Sequence, residues 1–277
     1  MATPREINRH MKSVGNIGKI TKAMKMVAAA RLRRAQEKAA ASRPYAIKIK
    51  EVLSNVVSDP SVLAGLDAKK HPLLQKREVQ KVGYLVLCSD KGLAGAYSSN
   101  ALKMAVAEIS ECEDEVVVIT CGRKARDFFT RRGFNVIQSH IGFSDRPTYE
   151  NAVDIAQDAI KTFANEGFDK LNIIYTVFKT ALSQVPTSEV ILPVEPPVKE
   201  EGKAQASFMF EPGEDDTLTV LAPKYLETVV YAALVQSAAS ELGSRMTAMS
   251  SATDNAAKLV SSLQLSYNKA RQAGITR

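Results

Sequence analysis

The chain has 277 residues, 45% of them hydrophobic, three cysteines and a formal net charge of +7. That length admits one large or two modest domains, and no run approaches the ~18 uninterrupted apolar residues of a membrane-spanning helix. No apolar core follows the charges near Met1, so no secretory leader is expected, and Cys88, Cys112 and Cys121 have no metal-ligand spacing and read as reduced thiols.

Residues 1–59 read as one long helix. Pro4 is tolerated in a first turn and Thr3 is a candidate cap. Ile17, Ile20, Met24 and Val27 form an apolar stripe at four-three spacing, and Pro44 is expected to kink or interrupt the helix before the stop at Asp59-Pro60. Residues 1–50 hold 13 Lys or Arg against Glu6 and Glu37, a local +11 that leaves −4 for the rest of the chain. Such a segment favours acidic partners.

Residues 60–80 read as a polar connector, and 81–211 as an α/β domain. Val82–Cys88, Val116–Thr120, Phe134–Ser139 and Leu171–Phe178 are short apolar runs of buried-strand type. Helical patterns separate them: Ser98–Cys112, a stretch through Arg126 and Phe129 to Gly133, and one opened by Pro147 with Ala152, Ile155, Ala159 and Phe163 on one face. That alternation predicts a parallel-type sheet. Ser188–Val194 and Ala206–Phe210 read as extended segments, flanking a charged, Pro-rich loop at 195–202 that is expected to be mobile. Residues 212–277 read as the last helix, begun by Pro223, with a heptad seam of Leu242, Met246, Met249, Thr253, Ala256, Val260, Leu263, Tyr267 and Ala270.

About 55 helical residues span roughly 80 Å, about twice the width of a domain of some 140 residues. The terminal helices must protrude, and they pair most economically as an antiparallel coiled coil. Gly15, Gly18 and Gly243 inside them suggest close backbone approach. Ser237, Ala238, Ser240, Ser244, Ser250, Ser251, Ser261, Ser262 and Ser266 are expected to give the last helix a smooth exposed flank, suited to enclosure by other protein.

Signals for catalysis are weak. His10, His71 and His140 are scattered, and the turn Asp90-Lys91-Gly92-Leu93-Ala94-Gly95 lacks both phosphate-loop and dinucleotide fingerprints. A nucleotide-binding α/β enzyme remains a distant reading. The basic segment 19–34 suits a solvated face, nucleic acid or an acidic protein surface; the absence of Trp and of a known module weighs against a nucleic-acid-binding coiled coil.

The run Lys19-Ile20-Thr21-Lys22-Ala23-Met24-Lys25-Met26-Val27-Ala28-Ala29-Ala30-Arg31-Leu32-Arg33-Arg34-Ala35-Gln36 closely resembles the N-terminal signature of the F-type ATP synthase γ subunit family. Arg245–Met249, Ala252–Ala256 and Leu265–Gln272 resemble its C-terminal blocks, and Asp90–Asn100 and Ser183–Thr187 also match. Two departures stand out: Ala94 replaces a common Cys, and the dithiol insertion of photosynthetic relatives is absent.

The resemblance implies a mixed α/β fold, with an antiparallel coiled-coil shaft and a central Rossmann-like foot domain, acting as a rotor without a catalytic site or cofactor. Implied partners are a hexameric ring of α and β subunits, an ε-type subunit and the membrane rotor c-ring, at the cytoplasmic face of the membrane. Neither nucleic-acid binding nor a transmembrane segment of its own is implied. By resemblance, Lys19, Lys22, Met24 and Lys25 pass the acidic lever segments of β, with Arg245 a second charge contact. Arg271, Gln272 and Thr276 match positions that meet the catch loops, and Arg33, Arg34 and 205–211 are candidates for the foot region.

Overall fold

The computed structural model describes residues 3–57, 71–194 and 214–275. Two helices dominate it: α1 (Pro4–Val57) and α5 (Glu214–Ile275). At 1.5 Å per residue the 62 residues of α5 extend about 90 Å. Thr3 caps α1 reciprocally, its Oγ1 accepting from Glu6 N at 3.4 Å while Glu6 Oε2 accepts from Thr3 N at 2.8 Å.

Neither internal proline marks a helix boundary. α1 runs through Pro44 without a break, and α5 begins before Pro223 and continues past it. Pro44 lies on the exposed side of α1, while buried Leu32 and Ala35 above it and Ile49 and Leu53 below it pack inward. Packing on both sides of the lost hydrogen bond overrides the local preference. The stop at Asp59-Pro60, the loop at 195–202 and the extended segment 206–210 fall outside the described residues.

Between the two long helices lie β1 (Lys81–Leu87), α2 (Tyr97–Glu111), β2 (Glu115–Cys121), α3 (Arg123–Arg131), β3 (Val136–His140), α4 (Tyr149–Ala164), β4 (Lys170–Phe178) and β5 (Gln184–Leu192). They form one sheet in the order β3-β2-β1-β4-β5. Four strands are parallel, as expected, but β5 runs antiparallel to β4, because a short hairpin at 179–183 joins them and leaves no room for a crossover helix. Alternation along β1 divides the core. Val82, Tyr84 and Val86 pack with Ala101, Ala105 and Phe129 of α2 and α3, whereas Leu85 and Leu87 pack with Ile155 and Phe163 of α4 and with Leu226, Val230 and Leu234 of α5. The lower half of α5 is therefore a layer of the foot. Within the connector, a short 3-10 turn at Pro72–Leu74 buries Leu73, whose carbonyl accepts from Val194 N at 2.7 Å.

The two long helices pack antiparallel, with Gly18 beside Ala256 and Thr21 opposite Thr253. Every position of the α5 seam expected from Leu242 to Ala270 is buried or half-buried. On α1 the outcome is reversed. The inward positions are Val14, Gly18, Thr21, Ala28, Leu32 and Ala35, mostly small residues, while Ile17, Ile20 and Val27 are 51%, 59% and 51% exposed. Small residues bring the helices close: a Cβ on Gly18 would sit 3.4 Å from Ala256 Cβ. Gly243 serves close approach too, but to Phe178 of the foot, and nothing lies within 4 Å of a Cβ at Gly15.

The smooth flank of α5 needs a similar correction. Ser237 and Ser240 are buried against the foot and Ala238 on the side facing α1; Ser251, Ser261, Ser262 and Ser266 are exposed. α5 also contains an 18-residue window apolar enough to cross a membrane by length and composition alone. Half of that window is buried within the protein, where the seam and the foot use its apolar side.

Candidate functional site

The sequence-derived site residues fall at three levels along the shaft. At mid-height, Lys19, Lys22 and Lys25 are exposed and Met24 is half-buried at the seam's edge. None of the three lysines forms an ion pair with a described residue; Lys25 Nζ donates to Ser250 Oγ at 3.0 Å across the helix pair. They stand among the outward Ile17, Ile20 and Val27. One flank of α1 thus combines uncompensated cations with uncovered apolar side chains, a surface suited to an acidic, partly apolar neighbour. Beneath the lysines, Thr21 and Thr253 hydroxyls meet at 2.7 Å inside the seam, and Thr253 Oγ1 also donates to Met249 O at 2.8 Å.

Higher up, Arg271 and Gln272 are exposed on the last described turns of α5; Thr276 lies outside the described residues. Lower down, Arg33 is exposed and pairs with Glu37 at 3.1 Å on its own helix, an arrangement worth a few tenths of a kcal/mol (~0.3). Arg34 lines a cavity of about 200 Å³ with Lys38, Arg146 and Pro147.

Arg245 is the exception among the cations. It is buried on α5, and its Nη2 donates to Glu241 Oε1 at 2.7 Å and to the carbonyl of Gly92 at 3.2 Å. Its charge is neutralised inside the chain and faces the glycine turn of the foot, so it differs from the three lysines that the resemblance grouped it with. Glu241 is fully buried. Burial raises its carboxyl pKa, and the Arg245 guanidinium opposes that shift in part.

The turn after β1 has no phosphate cradle. Its carbonyls at Gly92 and Ala94 accept from Arg245 and from Ser244 Oγ, the latter at 2.7 Å. A phosphate site presents N–H groups. The positive φ values belong to Leu93 (63°) and Gly95 (55°), not to Gly92. Asp90 anchors the turn: its Oδ2 accepts from Gly142 N at 2.9 Å and Ser144 N at 3.0 Å, and its Oδ1 accepts from Arg123 N at 3.1 Å. Burial alone would raise the Asp90 pKa, but these N–H donors and the Ser144 hydroxyl together hold it below the ordinary value.

In a doubly wound sheet, ligands occupy the crevice at the carboxyl ends of the strands where the order reverses, here between β1 and β4. α5 packs against it. Ser240 Oγ donates to Thr176 O at 2.9 Å and Thr176 N donates to Ser237 Oγ at 3.3 Å, while burial, with a lesser push from Glu241, raises the Cys88 thiol to about 12. Sequence reasoning found Arg245 but missed Glu241, Ser244, Thr247, Arg31 and Asp145, the residues that tie shaft to foot. Arg31 pairs with Asp145 of the loop after β3. A usable sign was the i,i+4 spacing of Glu241 and Arg245 within an otherwise apolar helix.

Comparison with known proteins covers the whole chain. The family model described as ATP synthase matches residues 3–277. The ATP synthase gamma chain of Brevibacillus brevis is 46% identical over 276 residues, covering 99% of this chain and 94% of that one. That of Desulfitobacterium hafniense is 42% identical, covering 100% and 95%. Among solved structures, the rotor of the Euglena gracilis mitochondrial ATP synthase superposes with a TM-score of 0.64 at 16% identity, over 98% of both chains. The central stalk of the Tetrahymena thermophila enzyme gives 0.63 at 24%, over 84% of this chain and 99% of that one. Two protruding helices on a mixed-sheet foot, matched from end to end at this identity, place the chain in the ATP synthase gamma-chain family.

Proposed function

We propose that the chain is the central rotor shaft of an F-type ATP synthase, coupling ion flow through a membrane rotor ring to ATP synthesis or hydrolysis in a surrounding ring of α and β subunits. The observation that carries this is the inverted helix pair. α1 turns small residues inward and Ile17, Ile20 and Val27 outward, with lysines at 19, 22 and 25 between them. Burying such side chains fully is worth about 1.5–3 kcal/mol each; at 51–59% exposure, about half of that is left for an encircling partner to recover. Acidic lever segments in that partner suit the unpaired lysines.

In this reading bond-making belongs to the ring. An off-axis shaft favours one conformation of each ring subunit at each angle. Only such differential contact shifts an equilibrium, and a preference of about 1.4 kcal/mol between two subunit states already changes their ratio tenfold. Rotation passes that preference to the next site. Lys19, Lys22, Met24 and Lys25 then face the levers, Arg271, Gln272 and Thr276 the catch loops, and Arg33 and Arg34 belong to the foot region. The foot meets an ε-type subunit and the c-ring, at the cytoplasmic face of the membrane.

Co-purification tests this. Tagged chain is expected to capture two abundant subunits of similar size, with ATPase activity in the complex and none in the chain alone. Nucleotide hydrolysis by the isolated chain, or capture of no ring subunits, overturns it. The nucleotide-enzyme reading gains no support from a glycine turn whose carbonyls are already taken by α5.

A further inference from the structure

Three loops at the carboxyl end of the sheet hold the shaft where it leaves the foot. The turn after β1 accepts from α5 through Ala94 O, with Ser244 Oγ at 2.7 Å, and through Gly92 O, with Arg245 Nη2 at 3.2 Å. From the other flank, Thr247 Oγ1 donates to Ala181 O of the β4–β5 hairpin at 2.9 Å. Gly243 lets the helix settle on Phe178, since a Cβ there would lie 2.9 Å from the ring. The loop after β3 holds α1, with Asp145 pairing with Arg31; Lys91 also reaches that carboxylate at 3.3 Å. All these ties fall within one band, residues 243–247 of α5 and Arg31 of α1. The change from buried and half-buried to mostly exposed positions on α5 begins at Ser251, about one turn above that band.

A rod clamped at one end and loaded along its length carries its largest bending moment at the root, and it passes torque on only as far as the clamp holds. We propose that the edge of the sheet where this fold ordinarily takes a ligand serves here as a collar for the shaft root, with Ser244, Arg245, Thr247 and Arg31 as positioning residues. The collar makes foot and shaft turn as one body. Its existence is independent of the rotor assignment; its mechanical use rests on that assignment.

The test leaves Arg245 in place, because its removal strands the buried Glu241 charge. In the full-length chain, S244A/T247V removes two hydroxyl ties without adding volume. Amide hydrogens of α5 around 243–250 are expected to exchange at least about fivefold faster, while those of β1 stay unchanged. Unchanged protection at 243–250 overturns the collar. In the purified complex, with the ring immobilised and stalled, a bead on the foot of S244A/T247V/R31Q is expected to show a broader angular distribution, about twofold in variance. A width equal to wild type overturns the mechanical role. A wild-type chain that captures no ring subunits defeats the rotor assignment and leaves the exchange result to decide the collar.

Discussion

A Cβ at Gly15 meets nothing within 4 Å, whereas one at Gly243 lies 2.9 Å from the Phe178 ring. The same substitution therefore has opposite signs at the two sites. Gly15→Ala is expected to stabilise the chain by about 1 kcal/mol through helix propensity, and Gly243→Ala to destabilise it by about 1–3 kcal/mol through overpacking, both read from denaturant midpoints. Asp90 gives the pH dependence. Its folded-state pKa lies below the unfolded value of 3.8, so its stabilisation is fully present above 3.8 and is lost as pH falls through the folded value. Asp90→Asn is expected to lower the melting temperature near pH 6 and to converge on wild type in strong acid; a constant offset at every pH would refute the assignment. Residues of this kind were half-legible. The Asp90 turn was visible as a tight strand-to-helix connection, but its partners Gly142 and Ser144 are more than fifty positions away and carry no local signature.

At the scale of elements, spacing located the helices and parallel strands of the foot to within a few residues, because buried strands and amphipathic helices both answer to a dry core; β5 begins at Gln184, four residues before the extended segment expected from Ser188. α1 misled for a physical reason. Ile17, Ile20, Met24 and Val27 keep four-three spacing, yet the seam runs through Val14, Gly18, Thr21 and Ala28. A hydrophobic pattern says which side chains avoid water and not which neighbour shelters them. Here the bulky ones await a second surface and the small ones set the closeness of the pair. Thr21, facing Thr253 at 2.7 Å, stands outside the apolar stripe and is part of the seam. The prolines misled because propensity was weighed without the pairing. Pro44 interrupts the hydrogen bonding of an exposed face that packing above and below keeps helical. Pro44→Ala is accordingly expected to raise stability, by up to about 3 kcal/mol. A lower denaturation midpoint in that variant would mean that the helix depends on the proline.

For the whole molecule, charge and shape are distributed together. Residues 1–50 carry +11 while the rest carries −4, so the positive charge is concentrated along α1, which runs from the shaft down to the foot. Lys19, Lys22 and Lys25 have no ion-pair partner among the described residues, so their field projects outward. If that field guides docking into an acidic ring, association must be faster at low salt, where the screening length is about 30 Å at 0.01 M against about 8 Å at 0.15 M. The on-rate for purified ring subunits is expected to fall at least about tenfold across that range. Charge reversal, K19E/K22E/K25E, should slow docking further and flatten the salt dependence. Because these side chains are exposed and their tie among the described residues is the Lys25–Ser250 hydrogen bond, it should cost the free chain no more than about 1 kcal/mol. Stopped-flow association with a labelled chain measures the rates, and a denaturant titration of the free chain supplies the control. An on-rate indifferent to both salt and reversal would move the docking surface off this flank and onto the face of α5 where Ser251, Ser261 and Ser262 are exposed beside Asp254 and Lys258, two charges of opposite sign.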